Sequence, residues 1–524
     1  MVVAPDFLSP FSRLTIPVWL RNLAAAQPDK PILVFAPEDG GLITWTRARF
    51  VDEVSRVASG LRARGVGKGD RVLVHLENCP ETLIVRFACA WIGAICVGTS
   101  PLAAGPEIAH FVESTGVVGA VTQPKLAARI AEFGRGLRWL AVTATDAGAM
   151  PADGDRPERA LRFEELMGEP IEPTPLDPDA PASIMFTTGT TSRPKGVVWT
   201  HANVLWGGRV NALQQGMRAS DVSLVFLPLF HVVGLSWCTL STLWAGGTVV
   251  LQPRFSASRH WPVVEACGVT VGSHVPATLR ILSMQEMPRH NIRQFIYARH
   301  EPEEAARYGV DFVSGWGMTE MLTQAIVTEP GSMPPKHVVG RPSIGIRVRI
   351  VDQNGAMVRP GESGELLVQG VRGLSIFKEY DRNPSANEAA FDEFGYFRTG
   401  DRVHLREDGW IMFEDRIKDV LKVGGEGVSA AEIEAVIEAV SGVRDVAVVS
   451  RPHAIYDEVP VAFVAPHGTL SADEQAAMSA RILEKCRSDL AKFKVPHAVL
   501  FVDELPRVGF GKINKVRLRE MARG

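Results

Sequence analysis

The chain has 524 residues, a formal net charge of -3, 46% hydrophobic and 22% charged residues. That length exceeds what a single core organises, so two or more domains are expected. The near-neutral charge and the lack of any Lys/Arg run exclude a nucleic-acid footprint and a polybasic membrane contact; the six cysteines, with no CxxC pair, read as buried reduced thiols of a cytoplasmic protein.

The amino terminus, Met1–Pro10, lacks the basic and sustained apolar segments of a signal peptide. Thr46–Arg64 has helical spacing closed by Gly65, Gly67 and Gly69. Arg71–Leu76 reads as a strand, Glu81–Ile92 as an apolar helix ended by Gly93, and Val117–Val121 as the next strand. Strands alternating with helices at this interval predict mostly parallel sheets covered by helices. Thr143–Pro181, rich in Pro, Asp, Gly and Glu, reads as a surface connection.

The apolar run Ser183–Phe186 then opens into Thr187-Thr188-Gly189-Thr190-Thr191-Ser192-Arg193-Pro194-Lys195-Gly196. Hydroxyls and backbone N–H groups can wrap phosphate oxygens, and a lysine supplies the point charge. A Walker A loop is excluded, because Lys195 lies between Pro194 and Gly196 and not between Gly and Ser/Thr. On these residues alone a Thr-rich surface turn is the competing reading.

Val222–Gln252 carries no Asp, Glu, Lys or Arg, but Pro228, His231 and several Gly, Ser and Thr interrupt it. A core helix and strand beside a site is predicted there, and no membrane span. After about Val351, Asp352-Gln353-Asn354-Gly355 and Pro360–Gly364 are hairpin-type turns around short strands such as Glu365–Val368, which predicts a β-rich subdomain. Beyond Arg416, Ser429-Ala430-Ala431-Glu432 is a capping box for a helix with Ile433, Val436, Ile437 and Val440 on one face. Strands at Val446–Val449 and Val461–Val464 and a helix through Ala476–Asp489 complete a compact α+β unit.

Further segments follow the Thr-rich loop in order: Leu227–His231, Gly315–Glu320, Tyr396–Asp401, Asp415–Gly425 and Pro506–Lys512. Together they resemble the adenylate-forming superfamily of acyl-CoA synthetases, adenylation domains and luciferases, over nearly the whole chain. The resemblance implies an α/β fold. Residues 1–415 would form a large N-terminal domain of helix-covered, mostly parallel sheets plus a β-rich subdomain. Residues 416–524 would form a small mobile α+β C-terminal domain hinged near Lys418. It also implies an ATP-dependent acid–thiol ligase using ATP, CoA and Mg²⁺. A carboxylate displaces pyrophosphate from ATP to give an acyl-adenylate, and the CoA thiol then displaces AMP.

Charge builds up in the first step, so positioned cations are needed. By resemblance, Thr187, Thr188, Gly189, Thr190, Thr191 and Lys195 grip the β- and γ-phosphates. Glu320 holds Mg²⁺, which takes one carboxylate plus phosphate oxygens and water, and Thr319 bonds a phosphate. Trp316, Tyr297 and Ala298 meet adenine; Asp401 and Arg416 meet the ribose. Lys512 bridges the substrate carboxylate and the α-phosphate. His231 gates the acyl pocket, whose wall includes Val232, Val233, Gly234, His274, Gly315 and Met318. Gly424, Gly425, Lys492 and Lys494 meet CoA. Bland alternatives stand beside these roles: a turn residue at Asp401, a salt bridge at Arg416, solvated lysines at Lys512, Lys492 and Lys494, and a packed core histidine at His231.

Motif detail, including Ser192 where the family carries Gly, is most similar to the crotonobetaine/carnitine-CoA ligase branch. Trp316 replaces the usual Tyr and keeps a π-face. The family's Gly-Gly-Ala-Pro is Ile296-Tyr297-Ala298-Arg299 here; either these large side chains pack outward, or they crowd adenine. The second case would leave a chain that performs only thioesterification, on an acyl-adenylate supplied by another enzyme. Carrier-protein loading is a further alternative, and only in trans, since no thiolation module follows Gly524. The pocket wall places no acidic residue to greet a quaternary ammonium group, so a sizeable, mostly apolar acid is expected. The expected partners are that acid or its acyl-adenylate and CoA, with a homodimer allowed.

Overall fold

The computed structural model describes residues 10–144, 157–187, 194–416, 421–423, 426–453, 457–490, 494–508 and 512–523. The chain divides into two compact units. One is built from the chain through Thr187, Lys195–Arg347 and Gln369–Tyr396; the other from Val348–Val368 and from Phe397 onward.

The first unit contains two sheets. In one, the strands run in the order Glu379–Tyr380, Gly196–Thr200, Pro181–Phe186, Ile95–Gly98, Arg71–His75, Gly119–Thr122, Trp139–Val142 and Leu161–Arg162. Neighbours are parallel from Pro181–Phe186 onward, as the strand–helix alternation predicts. Pro181–Phe186 and Gly196–Thr200 pair antiparallel, so the Thr-rich segment joins the two strands of a hairpin. The helix Pro80–Ile92 is buried almost all round and ends on Gly93 at φ 77°, a left-handed position that favours glycine.

The other sheet of this unit runs Val338–Pro342, Ile326–Val327, Asp311–Trp316, Gln294–Tyr297, Val271–Ser273, Val222–Val225, Thr248–Leu251, Pro31–Phe35 and Ile43–Thr46. Neighbours are parallel from Asp311–Trp316 through Pro31–Phe35, and the flanking pairs are antiparallel. Phe295, Tyr297 and Phe312 project from one face into an apolar core with Phe226, Trp261 and Tyr308.

The charge-free stretch forms the strands Val222–Val225 and Thr248–Leu251, with a helix Ser241–Ala245 between them. A π-helical segment, Val233–Leu240, precedes that helix. Such widened turns are rare and cluster at functional sites. Hydroxyls donate to the carbonyls it loosens: Thr239 Oγ1 to Gly234 O at 2.7 Å and Thr242 Oγ1 to Cys238 O at 2.7 Å.

In the second unit, Ser363–Gln369, Phe397–Leu405 and Ile411–Arg416 form an antiparallel ladder, as the hairpin turns predict. A separate sheet orders Glu426–Val428, Leu421–Val423, Asp457–Pro466 and Val443–His453, with Ala498–Phe501 parallel to Asp457–Pro466. Strict alternation supplies two cores. Val446, Val448, Ala462 and Val464 pack with Ile433, Ile437, Met478 and Ile482; Ala447, Val449, Val461 and Phe463 pack with Leu505, Leu518 and Ala522. The helix Ala430–Glu438 starts at Ser429, whose side chain accepts from Glu432 N. All six cysteines are free thiols. Among the described residues no helix is long and apolar enough to cross a membrane.

Candidate active site

The hairpin closes the Thr-rich segment at both ends. Thr187 N donates to Lys195 O at 3.0 Å, and Lys195 N donates to Thr187 Oγ1 at 3.1 Å. Thr188, Gly189, Thr190 and Thr191 lie outside the described residues. Lys195 Nζ stands 4.8 Å from the ring centroid of Tyr380, a cation–π contact. The Tyr380 hydroxyl donates to Glu320 Oε1 at 2.7 Å in a buried setting. Lysine, tyrosine and glutamate thus form one connected group, although Lys195 and Tyr380 come from the edge of one sheet and Glu320 from the turn after Asp311–Trp316.

Each member is braced. Phe377 N donates to Glu320 O at 2.8 Å, Trp199 Nε1 donates to Thr319 O at 3.0 Å, and Tyr380 exchanges hydrogen bonds with the Asn387 side chain. Glu320 is 3% exposed. Among the described residues no three His, Cys, Asp or Glu side chains gather as a metal cage. One buried carboxylate fits Mg²⁺, which draws most of its ligands from phosphate and water.

Trp316 ends its strand, buried at 7% exposure. The departure at Ile296–Arg299 resolves as outward packing. Tyr297 turns into the apolar core, its ring 5.1 Å from that of Phe312, and burial raises its phenol pKa. Arg299 turns away to Glu301, Nε to Oε1 at 2.6 Å. Ala298 is exposed.

His231 is half-buried on the turn before the π-helical segment; its N–H donates to Pro228 O at 3.1 Å, and Nδ1 accepts from Val233 N at 3.3 Å. Val232 is buried and Val233 half-buried. Gly234 is required by contact, since a Cβ there would meet Leu227 O and Pro228 O at 2.3 Å. His274 sits in the aromatic core, its ring 4.5 Å from Phe295 and 5.1 Å from His260, and burial holds its pKa well below the ordinary range. Met318 and Thr319 are half-buried on the turn that carries Glu320.

In the second unit, Asp401 and Arg416 face each other across the Phe397–Leu405 and Ile411–Arg416 strands, with Arg416 Nε 2.7 Å from Asp401 Oδ1. The two residues assigned to the ribose are therefore an ion pair, and Asp401 is buried. Lys494 Nζ is paired with Glu432 at 2.7 Å. Lys512 lies in a two-residue strand, Lys512–Ile513, against Arg507–Val508; its side chain lies outside the description, as do Lys418, Gly424, Gly425 and Lys492. Sequence reasoning missed Tyr380, which is the link between Lys195 and Glu320.

The AMP-binding enzyme family profile matches residues 20–380, and that of the AMP-binding enzyme C-terminal domain matches 432–512. A crotonobetaine/carnitine–CoA ligase of Salmonella paratyphi A is 32% identical over 512 residues, 95% of this chain and 97% of that protein. The O-succinylbenzoate coenzyme A synthetase of Bacillus subtilis, solved with AMP, superposes with a TM-score of 0.82 at 29% identity over 97% of this chain and 98% of its own. ATP-bound MatB from Rhodopseudomonas palustris gives 0.83 at 26% identity, over 97% and 99%. The chain therefore belongs to the AMP-binding enzyme family, among its ATP-dependent acyl-CoA ligases.

Proposed function

We propose that the protein joins a carboxylic acid to CoA through an acyl-adenylate, with the connected Lys195–Tyr380–Glu320 group as its phosphate-handling centre. That group is the observation that carries the reading, because it sets a cation and a buried carboxylate on one rigid aromatic. A carboxylate oxygen attacks the α-phosphorus of ATP, and the bond from that phosphorus to the α,β-bridging oxygen breaks, releasing pyrophosphate with the bond electrons. Lys195 and the Thr187–Thr191 segment hold the leaving phosphates, and Thr319 orients them. Glu320 would hold Mg²⁺, which supplies charge neutralisation at the phosphate oxygens.

Trp316 stacks on adenine, Ala298 leaves room beside it, and the Asp401–Arg416 pair receives the ribose. Lys512 spans the carboxylate and α-phosphate in this half-reaction. The C-terminal unit then turns about Lys418, bringing Gly424 and Gly425 to the pantetheine arm and Lys492 and Lys494 toward CoA phosphates. The thiol sulfur attacks the acyl carbon past His231, its proton passes to solvent, and AMP leaves with the bond electrons.

A chain confined to thioesterification is not favoured: it drew on crowding by Tyr297 and Arg299, and both side chains are engaged elsewhere. ATP–pyrophosphate exchange with a panel of acids tests the reading, followed by CoA-thioester formation. Exchange with a matched acid, lost in Lys512→Ala while that variant still consumes preformed acyl-adenylate, is expected. Thioester formation from ATP unchanged in Lys512→Ala would overturn the mechanism.

A further inference from the structure

Tyr380, which joins Lys195 to Glu320, ends a strand of only two residues, Glu379–Tyr380, on the outer edge of its sheet. The ladder of that strand consists of two register pairs, Glu379 with Val198 and Tyr380 with Val197. So short an edge strand frays unless side chains pin it. The Asn387 amide that brackets Tyr380 does not fix it to the sheet, because Asn387 belongs to the helix that follows, Pro384–Ala389.

The residue after Tyr380 supplies the tie. Asp381 N donates to Gly196 O at 2.7 Å, which joins the neighbour of Tyr380 to the neighbour of Lys195. The Asp381 carboxylate accepts from Arg71, Nη2 to Oδ1 at 2.8 Å. Arg71 opens the strand Arg71–His75, and in the sheet order three strands stand between it and Glu379–Tyr380. The ion pair therefore anchors the sheet edge to the sheet interior. Arg382 then adopts φ 50°, a left-handed conformation that a bulky side chain keeps only where its surroundings impose it. Its Nη1 lies 2.9 Å from where a Cβ on Gly116 would stand, at the residue that ends the helix Gly105–Thr115. Two consecutive side chains thus clasp the chain just beyond Tyr380.

Stability alone is a weak reason for this pair. The Arg71 and Asp381 side chains are 18% and 8% exposed, so both charges are largely desolvated. Arg71 Nε and Asp381 Oδ2 have no partner among the described residues. A buried ion pair satisfied only in part gains little over apolar side chains of similar volume, and what it supplies is register. The register at stake is that of Tyr380 against Lys195 and Glu320.

We propose that Arg71 and Asp381 are positioning residues for adenylation. Their ion pair holds the Glu379–Tyr380 edge so that the Tyr380 ring stays against Lys195 and its hydroxyl on Glu320. Both act through Tyr380, and the inference rests on the reading of the Lys195–Tyr380–Glu320 group as the phosphate-handling centre.

The test uses the full chain. Arg71→Met combined with Asp381→Leu removes the pair without stranding a charge, so Tm is expected within about 4 °C of the parent's. ATP–pyrophosphate exchange by this double variant is expected to fall about tenfold, with an equal rise in the Mg²⁺ concentration giving half-maximal activity. CoA-thioester formation from preformed acyl-adenylate makes no use of the leaving phosphates and is expected to stay within about twofold of the parent. Added to Tyr380→Leu, which keeps neither ring nor hydroxyl, the two substitutions are expected to lower exchange by no more than about twofold further. A full tenfold further loss in that background overturns this inference alone. So does a double variant with parental exchange and Mg²⁺ demand while Tyr380→Leu is impaired. Parental Mg²⁺ demand in Tyr380→Leu itself overturns the reading of the centre as well. Asp381→Asn, which keeps the shape and drops the charge, gives a second reading if the double variant folds poorly: raised Mg²⁺ demand is expected, and a parental value overturns the inference.

Discussion

Replacing Tyr380 by Phe removes one oxygen from the centre of the site and leaves the ring in place. The lost hydroxyl donates to the buried Glu320 carboxylate at 2.7 Å. Hydrogen bonds to charged groups contribute about 1.5–3 kcal/mol, and a tenfold rate change corresponds to roughly 1.4 kcal/mol. If the bond serves to aim the carboxylate, adenylation by Tyr380→Phe is expected to fall by roughly tenfold to a hundredfold. The concentration of Mg²⁺ giving half-maximal activity is expected to rise with it.

The ring supports Lys195 at 4.8 Å, and a partly desolvated cation–π contact adds about 1 kcal/mol. Tyr380→Leu, which loses both contacts, is therefore expected to fall about fivefold further. ATP–pyrophosphate exchange across a Mg²⁺ titration measures both variants, and calorimetric MgATP binding separates grip from chemistry. The reasoning is refuted if Tyr380→Phe stays within about twofold of the parent at every Mg²⁺ concentration while Tm drops, since the hydroxyl would then be serving stability alone.

Acid is expected to destabilise the fold through buried neutral imidazoles. Burial, reinforced by His290, lowers His260 from its ordinary 6.5 to about 4, and burial alone lowers His201 to about 4. The unfolded chain takes up these protons first, so stability is full above 6.5 and falls as pH drops from 6.5 toward 4. For His260 the loss is roughly 3 kcal/mol; Tm followed from neutral pH downward should fall, with a shallower slope in His260→Leu. Gly234→Ala places a Cβ against two carbonyl oxygens at 2.3 Å and is expected to cost about 1–3 kcal/mol, read as a lower Tm together with slower thioesterification. Asp401→Asn and Arg416→Ala break one ion pair at 2.7 Å; a double-mutant cycle on nucleotide affinity is expected to show coupling of about 1 kcal/mol or more, and additivity would separate the pair from ribose binding.

Much of the architecture was legible because it rests on period and punctuation. Helix-covered parallel strands, the β-rich segment after Val351 and the Ser429 cap all follow from local pattern. The ordered motifs located the site because glycines, hydroxyls and a lysine mark close phosphate approach wherever they occur. What stayed hidden depends on tertiary placement. Tyr380 and Glu320 are 60 positions apart, and an isolated tyrosine near a strand edge carries no local sign that its hydroxyl meets a carboxylate. The widened turn at Val233–Leu240 has no compositional mark either, and Tyr297 gave its bulk but not its direction.

That widened turn gives the pocket an evolutionary handle. An α-helix advances about 100° per residue, so a π-helical segment stores one extra position that a single deletion can remove. Loss of one codon within Val233–Leu240 would retighten the turn and rotate whatever precedes or follows it by about that angle. Trp237, buried within that segment, would change direction in one step. Divergence of acid preference among descendants of this chain need not wait for a series of point substitutions. Length changes confined to this one turn offer a shorter route, and homologues differing there by a single residue are where a changed acid preference is expected first.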